Sequence, residues 1–327
     1  MALTTPLCAL LGIRLPIVQA PIGSGTTPEL VAAVSNAGAL GMLSVTWMEP
    51  KRAARLVQRT RELTAEPFGV NVSLDFPVDA QLEAALEAGT RIVSTFWGDP
   101  AAVRPAVEAG GALHLHTVGT PDEARAAVDA GVDVVVAQGW EAGGHVWGEV
   151  ATLPLVPAVV DAVSPVPVIA AGGIGDGRGI AAALVLGAQA AWLGTRFVTA
   201  AEADTHDLYR SLVVAAGPDD ATWTRCFNGG WPDAPHRVLR NSTLDAWEAA
   251  GDSGNRPGEG EVVARDARGR EFLRYDDLVP MRSLDGDVEA MALYAGQSAG
   301  LVHDVRPAAE IVQLLAEEAE RALQRRS

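Results

Sequence analysis

The sequence predicts an α/β fold: a TIM (β/α)8 barrel with a smaller C-terminal insertion or lid domain. Three observations carry that expectation. Eight short apolar runs recur between residues 16 and 194, each followed by a stretch rich in Ala, Leu, Glu and Arg. The runs are nearly continuous in Val, Ile, Leu and Ala, as strands of a parallel sheet covered on both faces should be. After residue 200 the beat breaks and turn formers and Trp take over. A doubly wound open sheet is the competing arrangement, but eight units in about 200 residues suit a closed barrel at its compact limit.

In order, the strands are expected at 16–21, 40–45, 68–73, 91–96, 112–117, 133–138, 166–172 and 190–194. The stretches between them read as helices. Gly38, Gly89, Gly110, Gly131 and Gly187 stand where a left-handed C-terminal cap belongs. "GPDDATWTRCFNGGWPDAPHRVLRN" and "AAGDSGNRPGEGE" carry no βα beat, so 201–289 is expected to be the insertion or lid. The amphipathic run at 308–326 predicts a helix, and 290–327 a helical segment packing back on a barrel of residues 1–200.

Composition narrows the function. The 327 residues are 48% hydrophobic and 20% charged, which excludes a disordered chain. A formal charge of −16 argues against nucleic acid or an anionic membrane as partner. Two cysteines, Cys8 and Cys226, suit a reducing, cytoplasmic setting, and neither has metal-ligand spacing. The most apolar region is interrupted by Asp and Arg, so no membrane span is expected. The N-terminus lacks a basic region and a cleavage site, so no signal peptide is expected either. A small-molecule substrate is the expected partner, and a homodimer is compatible with the sequence.

Barrel enzymes place their chemistry in the loops after the strands. The loops after the seventh and eighth strands, "AGGIGDG" and "GTRF", are rich in glycine. Backbone N–H groups of Gly172, Gly173, Gly194 and Thr195 could converge there on a phosphate, helped by a helix N-terminus. A dinucleotide fingerprint fits poorly, because no acid on a following strand end suits a ribose. After the sixth strand, "GWEAGGHVWG" surrounds an acid and an imidazole with four glycines, which suggests backbone pressed against something other than protein. His145 lies on the catalytic face and titrates near neutrality, which suits a general base for a weakly acidic C–H. Glu141 either orients it or is solvated. His114 and His116 share one strand face, but no third ligand accompanies them; interior packing is the expected role and no metal site is expected. His206, His236 and His303 have no supporting context.

Taken together, "PIVQAPIG", "AVSNAGALGMLS", "FGVNV", "AQGWEAGGHVWG", "VPVIAAGGIGDGRG", "QAAWLGTRFV", "PHRVLRN" and "YAGQSAGLV" resemble the nitronate monooxygenase (2-nitropropane dioxygenase) family over nearly the whole chain. That family is related to the FMN-dependent enoyl-acyl-carrier-protein reductases, which share the E-A-G-G-H segment; the tail motifs favour the monooxygenases. The resemblance implies FMN as cofactor, held by the 1–200 barrel. The isoalloxazine would lie over the backbone of Ala20, Pro21 and Ile22. Asn71 and Gln138 would hydrogen-bond flavin or ribityl, Gly143 would approach the cofactor, and Gly172, Gly173, Gly194 and Thr195 would take its phosphate. His145 matches the base of nitroalkane oxidation, in which nitronate and O2 give a carbonyl product and nitrite. An NAD(P)H-using enoyl reductase is the first alternative and a non-catalytic flavin-binding barrel the second. Trp192-Leu193 and Trp147-Gly148 depart from the family pattern and put substrate size and class in question.

Overall fold

Runs buried on both faces leave a strand only one arrangement, hydrogen-bonded on both sides within a covered parallel sheet. The computed structural model describes residues 3–251 and 255–324. Its eight parallel strands are β1 (Ile17–Gln19), β2 (Gly41–Ser44), β3 (Phe68–Ser73), β4 (Ile92–Phe96), β5 (Leu113–Val118), β6 (Val134–Gln138), β7 (Val168–Ala171) and β8 (Ala190–Leu193). They pair in the order β1-β8-β7-β6-β5-β4-β3-β2. A parallel bridge from Val18 to Leu40 closes β1 onto β2. Two main-chain bonds of 2.9 Å make the seam, from Gln19 N–H to Leu40 and from Leu40 N–H to Ile17. The buried Gln19 side chain extends it, accepting from Met42 N–H at 3.1 Å and donating to the carbonyls of Ala20 and Met42. The closure makes this a TIM barrel and removes the open-sheet alternative.

The barrel interior is filled by Val18, Met42, Ile92, Leu115, Val134 and Ile169. The short helix Pro6–Leu11 plugs its lower end with Leu7, Cys8 and Leu11, and Leu7 N–H is bound by Gln189 Oε1 at 3.0 Å. Four of the five expected glycine caps are left-handed: Gly38, Gly89, Gly131 and Gly187, with φ between +87° and +104°. At the fifth, Gly110 is right-handed at −73° and its neighbour Gly111 takes the turn at +62°. Two adjacent glycines hid which one bends.

Beyond residue 200 two small antiparallel sheets form. One pairs Ala221–Thr224 with His236–Leu239, which pairs in turn with Gly144–His145 from the loop after β6. The other joins Glu271–Leu273, Val262–Arg265 and Asp285–Gly286. Residues 252–254 of the turn-rich run lie outside the described residues. The helix Ala308–Gln324 packs on Gly177–Val185. Gly177 permits that contact, since a Cβ there would stand 2.4 Å from Ala319 N. The expected final positions of that helix, 325–326, lie outside the described residues.

Candidate active site

A cavity of about 1180 Å³ opens at the strand C-terminal ends. His145 and the residues expected to hold the cofactor line it: Ala20, Pro21 and Ile22 after β1, Asn71 on β3, Gln138 on β6, Gly143 beyond it, Gly172 and Gly173 after β7, and Gly194 and Thr195 after β8. The barrel gathers them because each follows or ends a strand pointing the same way.

On one side, the backbone N–H groups of Gly172, Gly173, Gly194 and Thr195 donate to no protein acceptor among the described residues. Gly172, Gly173 and Gly194 are partly buried and Thr195 is buried, so the four amides face the cavity free to donate. Gly194 and Thr195 are the N-cap and first residue of the one-turn helix Thr195–Val198, so two of these amides stand at a helix N-terminus. Helix Gly177–Val185 is already capped, with Asp176 Oδ1 accepting from Arg178 N–H and Gly179 N–H and Glu318 Oε2 from Gly177 N–H. Thr195 Oγ1 accepts from Gly296 N–H at 3.0 Å, tying the "YAGQSAGLV" segment to this wall.

Along the floor, Ala20 N–H is bound to Leu193 and Ile22 N–H to Thr26 Oγ1 at 2.8 Å, so the segment 20–22 offers a flat ligand its surface and carbonyls, not its amides. Asn71 Nδ2 is held by Ser94, and Gln138 Nε2 by the carbonyl of His145 at 3.2 Å. Both side chains are thereby fixed with an amide oxygen left to accept.

The glycines of "GWEAGGHVWG" have a different cause from the expected one. A Cβ on Gly139 would sit 2.0 Å from Thr152 Oγ1, on Gly143 2.2 Å from Gly296 N, and on Gly148 3.0 Å from Gly119 Cα. Three of the four press against protein; only Gly144, left-handed at +72°, faces open space. Glu141 neither orients His145 nor is solvated: its Oε2 accepts from Thr152 N–H at 2.8 Å and Thr152 Oγ1 at 2.9 Å.

His145 sits in the two-residue strand that pairs with His236–Leu239 of the small antiparallel sheet, opposite His236. Arg237 in the same "PHRVLRN" run is buried and donates to the carbonyls of Trp140, Ala142 and Ala221, pinning the loop from below. The His145 ring lies 4.2 Å from Trp231 at 32° and 5.5 Å from Tyr294. Its Nε2 is buried without a hydrogen-bond partner, 3.5 Å from Asp277 Oδ2. Burial, with His236 close by, holds the imidazole well below its ordinary 6.5. Burial likewise pushes Asp277 up to about 7, against the pull of the Tyr294 hydroxyl that donates to its Oδ1. The separation is that of an ion pair, but burial favours the neutral form of each partner, and the contact is that of a neutral histidine with a carboxyl poised to ionise. Titration near neutrality therefore belongs to Asp277, not to His145.

Asp277 and Trp231 carry no signal in the sequence, and the motifs "PHRVLRN" and "YAGQSAGLV" that hold His236 and Tyr294 gave neither residue a place in the site. His236 is not idle: its Nδ1 donates to Ala234 and its Nε2 accepts from Phe227 N–H, fixing it neutral beside His145. His114 and His116 share Thr95 Oγ1 at 2.8 and 2.7 Å, and burial holds both at about 4. They pack inside the barrel, and no metal-holding cluster occurs among the described residues. Trp192 lines the main cavity, whereas Trp147 stacks on Trp97 at 4.7 Å and closes a smaller cavity of about 290 Å³. No described helix is long and apolar enough to cross a membrane.

A closed barrel whose strand ends gather free backbone amides and a buried neutral histidine around one cavity has the layout of a barrel enzyme. The chain belongs to the nitronate monooxygenase family, whose model matches residues 4–318. It is 32% identical over 96% of its length to the (3aS,4S,5R,7aS)-5-hydroxy-7a-methyl-1-oxo-octahydro-1H-indene-4-carboxyl-CoA dehydrogenase of Mycobacterium tuberculosis, covering 95% of that protein. Among solved structures, FabK from Thermotoga maritima superposes with a TM-score of 0.85 at 32% identity, covering 98% of this chain and 97% of that one. The nitroalkane oxidase of Streptomyces ansochromogenes superposes with a TM-score of 0.81 at 31% identity, covering 99% and 100%. Family membership makes the chain an enzyme and removes the non-catalytic reading.

Proposed function

We propose that the protein is an FMN-dependent oxidoreductase that deprotonates carbon next to a nitro group and oxidises the nitronate with O2 to a carbonyl product and nitrite. One observation carries the reading: a buried, neutral, unpartnered His145 Nε2 faces the same cavity as four unbound backbone amides. The residues fit a flavin mononucleotide. Gly172, Gly173, Gly194 and Thr195 would hold a single phosphate, Asn71 and Gln138 would accept from the ribityl hydroxyls or ring N–H, and Ala20–Ile22 would support the ring. FMN supplies the electron transfer between carbanion and O2.

The chain's own task is the proton. Because burial holds its pKa well below the ordinary 6.5, the imidazole is neutral, and so free to accept, across the physiological range. When Nε2 takes the α-proton it becomes cationic in a dry site, where Asp277 at 3.5 Å, ionised, offsets the new charge. Trp231 covers the ring and excludes water from the pair. Anaerobic titration tests the reading. Bleaching of the bound flavin by a nitronate but not by NAD(P)H supports it; bleaching by NAD(P)H alone contradicts it.

A second reading, reduction or oxidation of an acyl thioester with NAD(P)H or its oxidised form, is favoured by the cavity itself. Its volume exceeds what a flavin and a small nitroalkane need, and arginines line its mouth.

A further inference from the structure

The imidazole of His145 is packed against an indole as well as a carboxyl. Trp231 stands on the connection between Ala221–Thr224 and His236–Leu239. Its ring meets that of His145 at 4.2 Å and 32°, nearer to face-on stacking than to an edge contact. It is 3% exposed and clamped by Trp97 at 4.8 Å and Phe76 at 5.0 Å, so the face turned to His145 is fixed. Its Nε1–H donates to Asp75 Oδ2 at 2.7 Å, a carboxylate on the exposed loop after β3.

Keeping water from His145 asks only for an apolar side chain, and leucine would supply that. What an indole adds is the negative face of its π system, which attracts a cation within about 6 Å of the ring centre more strongly than any other aromatic side chain. A carboxylate that accepts the indole N–H polarises the ring further in the same sense. Neutral imidazole gains far less from such a face than imidazolium does. The other groups around His145 do not duplicate the effect. Asp277 meets Nε2 at 3.5 Å, and Tyr294 commits its hydroxyl to Asp277. His236 is held neutral by Ala234 and Phe227, and Arg237 turns its guanidinium to main-chain carbonyls.

We propose that Trp231, oriented and polarised by Asp75, is a positioning residue that stabilises protonated His145 through its π face. The proposal rests on the reading of His145 as the base. As the Cα–H bond of the nitroalkane breaks, its proton bonds to Nε2 and the electron pair stays on the nitronate. The new positive charge is then shared between two partners, Asp277 beside Nε2 and the indole over the ring. The hydrogen bond from Trp231 to Asp75 spans 156 residues, so the barrel loop after β3 sets the face that the segment at 225–235 lays on the base.

Site-specific replacement of Trp231 by mono-, di-, tri- and tetrafluorotryptophan in the flavin-loaded protein tests this, because fluorine withdraws electron density from the ring face and barely alters its shape. Anaerobic flavin reduction by a neutral nitroalkane should slow stepwise with the number of fluorines, by about tenfold or more across the series. Reduction by the preformed nitronate, which needs no proton transfer, should not change. In the same proteins the imidazole NMR titration of His145, assigned with His145→Gln, should move to lower pH with each fluorine, since a weaker face favours the cation less. Asp75→Asn, which keeps an acceptor oxygen without its charge, should move rate and titration in the same direction and by less; no change there overturns the part given to Asp75. Rates and titration that ignore the fluorine count, or an equal loss on both substrates, reduce Trp231 to a cover and overturn the proposal. A wild-type protein that oxidises neither substrate contradicts the nitronate reading instead, and the imidazole titration still decides whether the indole holds the cation.

Discussion

Asp277→Asn separates the cost of the site from its use. The carboxyl is 8% exposed and burial raises it from the ordinary 3.8 to about 7. At about 1.4 kcal/mol per pH unit, that difference amounts to roughly 4 kcal/mol of stability forgone once the group ionises. The sign follows from proton counting. Between pH 3.8 and 7 the folded state keeps a proton that the unfolded chain has released, so stability falls as pH rises through this window and stays lowered above it. Asparagine cannot ionise, and its amide oxygen can still accept from Tyr294. Urea unfolding of both proteins at pH 4 and pH 8 reads the effect. The difference in unfolding free energy, variant minus wild type, should rise with pH by up to about 4 kcal/mol. The same variant should oxidise neutral nitroalkane more slowly, because no carboxylate is left to offset the protonated His145. A difference that stays flat or falls with pH would refute the assignment of the neutral-range titration to Asp277.

Gly143→Ala should lower stability by about 1–3 kcal/mol and weaken flavin retention, because its Cβ would stand 2.2 Å from Gly296 N and push the His145 loop off the tail; thermal melts and flavin content check both, and full retention at wild-type stability would contradict the packing. Heat release followed by chromatography should yield FMN; recovery of FAD would show that the amide receptor does not end the cofactor.

The barrel was legible because its signal is local. Parallel strands are buried along their whole length, so β3 as "FGVNVS" and β6 as "VVVAQ" announce themselves without reference to any partner. The cavity residues followed from strand ends, which is also a local property. What stayed hidden depends on pairing across long stretches of chain. Asp277 meets His145 where Gly144–His145 becomes an edge of the small antiparallel sheet through His236–Leu239, and Tyr294 follows by bridging to Val238. No periodicity marks such a contact. Gly139, Gly143 and Gly148 were ambiguous for the same reason: a close approach needs glycine whether the neighbour is a cofactor or backbone such as that of Gly296, and composition does not tell the two apart.

The central claim is that His145 takes the substrate proton, and one comparison tests it most directly. In wild type and His145→Ala at saturating FMN, anaerobic flavin reduction is timed with a neutral nitroalkane and with its preformed nitronate. The account predicts a fall of about 10²–10⁴-fold for the neutral substrate and a far smaller one for the nitronate, which has already lost the proton. Equal loss on both substrates, with their ratio at the wild-type value, would mean that His145 supports the cofactor or the packing and is not the base.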